Sequence, residues 1–130
     1  VDKVLILILG GSIGTLSRYF LAEWGQSRFG GFFPYGTLLV NLLGCLIIGL
    51  LVGILEKRFH ALVEVPLQLR LLLITGFLGA FTTFSSYELE AFLFLRQGQW
   101  ERALLYLVGS IGLGLLLILT GSRLGRILPL

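Results

Sequence analysis

Four long apolar runs, at about 4–24, 36–55, 69–95 and 103–124, take up most of this 130-residue chain. A lipid interior offers no water to a peptide group, so only helices and closed barrels cross it. Each run meets the ~17–25 residues that a helical crossing needs. Strand-like alternation is absent, which argues against a barrel. The expected fold is therefore all-α: one domain, residues 1–130, of four transmembrane helices. Composition agrees, because only 13% of the residues are charged, where a soluble domain carries about 25%. The first run is too long for a signal-peptide core and lacks a small-residue cleavage site, so it counts as a helix.

The third run is not a plain span. Gly76, Phe77, Leu78, Gly79, Ala80, Phe81, Thr82, Thr83, Phe84, Ser85, Ser86 and Tyr87 follow one another in its middle. Paired glycines, then hydroxyls among aromatic rings, make a poor stretch of lipid-facing helix. Backbone that leaves the helical ladder in a membrane survives only where protein buries it or where it lines a cavity. From Leu69, about ten helical residues reach ~15 Å, near the middle of a ~30 Å core. The spacing predicts a break across 76–86 at mid-depth, a candidate ion or substrate site. Carbonyls freed at such a break coordinate a hard cation, and those of Gly79 and Thr82 are the natural pair for Na⁺. Amide and hydroxyl donors nearby suit an anion instead, and ring edges carry the positive side of the aromatic quadrupole. A glycine kink packed by aromatics is the plain structural alternative.

Other polar residues inside the runs matter because each is costly in lipid. In the first run, Gly10, Gly14 and Arg18 stack at steps of four. The glycines read as helix packing. Arg18 either snorkels to the surface or serves an anion vestibule. In the second run Thr37, Asn41 and Gly44 share a face, and Asn41 is the chain's one Asn. Its amide fits interhelical bonding or ligand coordination. Glu88 and Glu90 follow the break, placed for a proton relay or for exposure at the interface. Tyr106, Ser110 and Gly114 stack at steps of four in the fourth run, a polar stripe that is a candidate to face the break, while Gly109, Gly112 and Gly121 read as packing contacts. Polar loops are expected at 25–35, closed by Pro34, and at 56–68, which holds Pro66.

Enzyme chemistry has no foothold. The chain has one His and one Cys, too few for a metal cluster at ligand spacing. It carries no Ser/His/Asp set and no phosphate-binding loop. Cys45 reads as a small packing residue. Net charge is +3, from loop and terminal cations that suit anionic headgroups rather than nucleic acid.

The four short runs resemble the Fluc (CrcB) family of fluoride channels. The likeness rests on the 36–41 segment (Gly-Thr-Leu-Leu-Val-Asn), on 76–85 with its Thr-Thr-Phe-Ser run, and on 14–18 in the first run. It covers essentially the whole chain. The resemblance implies an antiparallel, dual-topology homodimer in the cell's inner membrane, with two fluoride pores and one central structural Na⁺. By position, Gly79 and Thr82 are its Na⁺ carbonyl donors, and Asn41 the pore amide. Phe84 and Tyr87 fall at the aromatic-box positions, and Ser85, Ser86, Tyr106 and Glu90 on the polar track. Ser110 matches a pore-side serine and Arg18 the vestibule arginine. Two positions depart: Tyr87 stands where Phe is common, adding a hydroxyl, and Gly114 stands where a serine sometimes lies.

The expected function is passive fluoride efflux that prevents accumulation in the cytoplasm. Two rivals come from other classes. A proton-coupled small multidrug exporter is also short and four-spanned, but wants a carboxylate in its first span, and residues 4–20 contain none. A helical accessory subunit would use the break purely for packing. Orientation leans one way. Lys3, Lys57, Arg58, Arg70, Arg123 and Arg126 lie on the N-terminal side against Arg28, Arg96 and Arg102 on the other. The positive-inside rule then favours cytoplasmic termini, while dual topology needs a weak bias.

Overall fold

The computed structural model describes residues 2–129. Four of its helices are long and apolar enough to cross a membrane, the third being Leu67–Arg96 with an interruption. Helix α1 spans Lys3–Phe29 and α2 spans Tyr35–Phe59. The third crossing has two limbs, α3 over 67–81 and α4 over Phe84–Arg96, and α5 spans Trp100–Ile127. No strand occurs among the described residues. This is the four-helix membrane fold expected from the apolar runs.

The helices run further than the apolar runs suggested. At 25–35 the loop contracts to 30–34, because α1 continues to Phe29. Gly25 is a packing glycine rather than a turn glycine: a Cβ there would press on Leu39 of α2 at 2.9 Å. The chain turns instead at Gly30 and Gly31, both at positive φ, where a Cβ is strained. One side chain secures that turn. Gln26 Nε2 donates to the carbonyls of Gly31 and Phe33, and Gln26 Oε1 accepts the Gly36 N–H. At 56–68, α2 likewise continues to Phe59 and ends at His60 in the left-handed region.

Glycines set how closely the helices approach. Helix α5 packs along α2 in the most extensive pairing of the fold, and α1 packs against α3. A Cβ at Gly49 or Gly53 would strike the α5 backbone at Ile118 or Ser122, and one at Gly121 or Gly125 would strike α2. Gly10 and Gly14 bring α1 onto the Leu72 and Phe77 carbonyls, as their spacing suggested. Gly121 also packs as expected. Gly109 and Gly112 do not: a Cβ at either would meet nothing within 4 Å.

Apolar side chains cover the outside, Leu9, Leu105 and Leu116 among them. In lipid such exposure is neutral, so the inner contacts are small and specific. One cluster gathers Tyr87, Ala91, Phe94, Ala103 and Tyr106 between α4 and α5; another gathers Val40, Leu78 and Phe81 between α2 and α3. The break lies between these two clusters.

Candidate functional site

The interruption is narrower than the sequence suggested. Residues 76–81 stay helical, with Leu71–Leu78 wound as a π-helix and Gly79–Phe81 returning to α geometry. Gly79 itself has helical angles, φ −61° and ψ −33°. Only Thr82 and Thr83 are extended. Gly76 serves the contact with α1, whereas a Cβ at Gly79 would meet only the Ile74 carbonyl of its own helix, at 3.7 Å. A π segment beside a functional position is a recurring arrangement. Each limb spans roughly 20 Å at ~1.5 Å per residue, so the break sits near mid-depth.

Asn41 holds the break open. Its Nδ2 donates to the Thr83 carbonyl at 3.0 Å, and its Oδ1 accepts the Thr83 N–H at 2.8 Å. Pairing with an N–H and a C=O of one residue fixes which way the amide faces. It also takes Thr83 out of the helical ladder, because the Thr83 N–H would otherwise close onto the Gly79 carbonyl four residues back. Gly44, one turn beyond Asn41, receives the Thr82 methyl, which a Cβ would displace.

The two limbs present opposite ends to the gap. Helix α3 ends there with carbonyls, the negative pole, and α4 begins there with N–H groups, the positive pole. Thr83 caps α4 through the Ser86 N–H at 3.3 Å, and its hydroxyl donates to Ser86 Oγ at 3.0 Å. At the other pole, Arg18 Nη1 donates to the Thr82 carbonyl at 3.4 Å, a long bond. Arg18 thus points inward to the break rather than only out to the surface. Thr82 Oγ1 donates back to the Leu78 carbonyl.

A groove of about 700 Å³ opens beside the break. Asn41, Thr82, Thr83, Phe84, Tyr87 and Ser110 line it, with Cys45 and Glu88 at its margin. Ser110 Oγ is buried without a hydrogen-bond partner; among the described residues only Arg70 Nε shares that state. An orphaned buried hydroxyl calls for an explanation such as a ligand or water. Phe84 is 74% exposed and leans on Tyr87, with ring centroids 5.9 Å apart. The Tyr87 hydroxyl donates to the Leu107 carbonyl at 2.8 Å. The extra donor that distinguishes Tyr87 from Phe is therefore spent on α5, which leaves its ring edge. Gly114 lies opposite Cys45, with Sγ 3.1 Å from the place of a Cβ.

Above the groove lies a second polar cluster. Thr37 Oγ1 donates to Glu90 Oε1 at 2.6 Å, and Tyr106 Oη donates to Glu90 Oε2 at 2.7 Å. The Tyr87 and Tyr106 rings, 5.0 Å apart, connect it to the groove. Asn41, Phe84, Tyr87 and Ser110 are thus gathered in one place, and Glu90 and Tyr106 in the adjoining one. Ser86 belongs to the α4 cap, whereas Ser85 is exposed and does not line the groove. Thr37 and Thr83 do more than the sequence reading assigned them. The available signal was spacing: Thr37 precedes Asn41 by one turn, and Thr83, Ser86 and Glu90 recur at helical steps.

Residues 5–122 match the family described as CrcB-like protein, Camphor Resistance (CrcB). This chain belongs to the CrcB family. Its relatives include proteins named fluoride-specific ion channel FluC. The one from Rhizobium leguminosarum bv. trifolii is 42% identical over 126 residues, 97% of this chain and 98% of its own length. That of Chloroflexus aurantiacus is 43% identical, covering 96% of each chain, and that of Maridesulfovibrio salexigens is 41% identical, covering 97% of each. The family is one of ion channels rather than enzymes, and this member is a multi-pass protein of the cell membrane.

The Na⁺ that the family resemblance implies can be tested against the donors present. No group of three or more His, Cys, Asp or Glu side chains comes together among the described residues, so a cation here would depend on carbonyl oxygens. Gly79, exposed and robbed of its helical donor, and Thr82, in extended backbone, offer them. Hard oxygen donors suit a hard cation. The donor set fits Na⁺, with Arg18 sharing the Thr82 carbonyl.

Proposed function

We propose that the protein is a fluoride-selective channel through which fluoride leaves the cytoplasm down its electrochemical gradient. It works as an antiparallel homodimer with two pores and a structural Na⁺ between the two breaks. The observation that carries this reading is the unpartnered Ser110 hydroxyl, set in one groove with the Asn41 amide and the Phe84 and Tyr87 ring edges. The names of its relatives support the choice of ion.

Fluoride is small and strongly hydrated, and an isolated ion stripped of water in an apolar medium costs tens of kcal/mol. A pore must return that energy through several donors, each weak enough to let go. The groove supplies neutral ones. Asn41 spends one amide N–H on Thr83 and keeps a second for the ion. Ser110 brings its hydroxyl, and Phe84 and Tyr87 bring ring edges. Tyr106 and Glu90 extend the polar track, with Ser86 at the α4 cap below them, and Arg18 draws anions toward the vestibule. A fixed cation in contact with the ion would hold it too tightly. The carbonyls of Gly79 and Thr82 would hold Na⁺ where the two copies meet.

Purified protein in liposomes tests this directly. Fluoride loaded inside should leave down its gradient, while chloride should stay. Equal passage of both ions, or no flux from folded protein, would overturn the channel reading.

A further inference from the structure

A second pocket lies at the end of the molecule that carries the 30–34 turn. It measures about 410 Å³ and is lined by Phe29, Gly30, Gly31, Phe33, Tyr35 and Arg102, among others. The groove at the break does not use it. Phe33 is one of its lining residues, and that ring also meets Tyr106 in a T-shaped contact, with centroids 5.4 Å apart. Tyr106 in turn donates to Glu90. One aromatic ring therefore separates the Glu90 cluster from an open pocket at the membrane surface.

The pocket's chemistry matches an anion. Arg102 is its only charged lining residue. One guanidinium N–H goes to Gln99 Oε1 at 3.2 Å, out of the five that the group carries. Arg102 also precedes Tyr106 by one helical turn, so both stand on one face of α5. The rings of Phe33 and Tyr35, 5.1 Å apart, line it as well. The Gln26 amide bonds the Gly31 and Phe33 carbonyls and the Gly36 N–H, so the turn that forms the pocket is held in place.

We infer that this pocket is the outer mouth of the permeation path, where Arg102 concentrates a small monovalent anion beside the Phe33 partition. The inference rests on the channel reading and adds a site to it. The continuity runs from the Phe84 and Tyr87 rings to Tyr106, then to Phe33, and out to Arg102. Being exposed, Arg102 acts through local concentration rather than tight binding. A unit charge ~7 Å away in water changes the local concentration of a monovalent ion about threefold.

Fluoride efflux from liposomes, measured as initial rate against fluoride concentration, tests the inference. At ~0.01 M ionic strength and low fluoride, Arg102→Gln should slow efflux about threefold. Arg102→Glu should slow it further, and Arg102→Lys should retain the wild-type rate. At ~1 M salt, where the screening length falls to ~3 Å, the variants should converge. Arg96→Gln removes the same charge from the same end but outside the pocket, and should slow efflux distinctly less, the screening length here being ~30 Å. If Arg102→Gln matches wild type at low salt, or Arg96→Gln slows efflux equally, the mouth is refuted and the channel stands. Absence of fluoride flux in the wild type would overturn both.

Discussion

Asn41 decides whether the break is a site or a kink. Asn41→Ala removes both bonds to Thr83 and the remaining donor, and should abolish fluoride flux in liposomes or slow it at least tenfold. Asn41→Asp keeps an acceptor for the Thr83 N–H but loses the donors and, when ionised, repels an anion; it should be equally inactive while remaining folded. Near-normal flux in either variant would leave Asn41 as packing glue. Arg18 carries a second prediction. Its guanidinium shares the Thr82 carbonyl with the proposed Na⁺, and two cations at one carbonyl oppose each other. Arg18→Gln should therefore lower the Na⁺ concentration at which Na⁺ raises the melting temperature, by roughly tenfold if the charges lie ~6 Å apart at intermediate dielectric. An unchanged midpoint would separate Arg18 from the cation. Such side chains were legible in the sequence, because a polar residue in an apolar run stands out. Their partners were not. Nothing in the order of residues says that Asn41 bonds the Thr83 backbone or that Tyr87 spends its hydroxyl on Leu107.

The elements follow apolar patterning closely, and the exceptions have physical causes. All four crossings were readable because lipid allows a helix little else. Their ends were not, since polar residues such as Gln26 and Lys57 continue a helix until a left-handed position stops it. The break was located but overdrawn. Glycines signal both unwinding and close approach, and at Gly76 the second applies: its added Cβ would meet the Leu71 carbonyl at 2.8 Å and α1 at Gly10. What starts α4 is the Thr83 hydroxyl on the Ser86 N–H. Thr83→Ala should cost roughly 1 kcal/mol of stability, as N-cap losses do, and Thr83→Ser should restore it. Thermal unfolding of the purified protein would measure both. Close approach makes its own prediction at Gly53, where a Cβ meets the backbone of α5 at Ser122. Gly53→Ala should destabilise by roughly 1–3 kcal/mol, the usual cost of overpacking. Gly11→Ala, which meets nothing within 4 Å, should be neutral or gain up to about 1 kcal/mol from helix propensity.

At the scale of the whole molecule, one chain leaves its work unfinished. The groove at the break opens sideways, with Phe84 exposed and Asn41, Thr82 and Ser110 along its wall. In a lone chain these polar groups would face lipid, at a cost of several kcal/mol for each one left unsatisfied. A second copy is the natural cover. The proposed antiparallel arrangement is compatible with the depth of the break. Because α3 and α4 have similar lengths on either side, a two-fold axis in the membrane plane brings both breaks to the same level. The carbonyl ends of the two α3 limbs then face each other, where a cation between them offsets their repulsion. An antiparallel pair requires chains inserted both ways, and the six-to-three distribution of basic residues pulls against it. Biosynthesis in the cell therefore provides the sharp test. In a Cys45→Ser background, Gln97→Cys and Pro129→Cys mark the two opposite ends. Under the proposed dual topology, an impermeant thiol reagent applied from outside should label a fraction of each. Labelling of one position alone would show a single orientation, and the two breaks would no longer be related by an axis in the membrane plane.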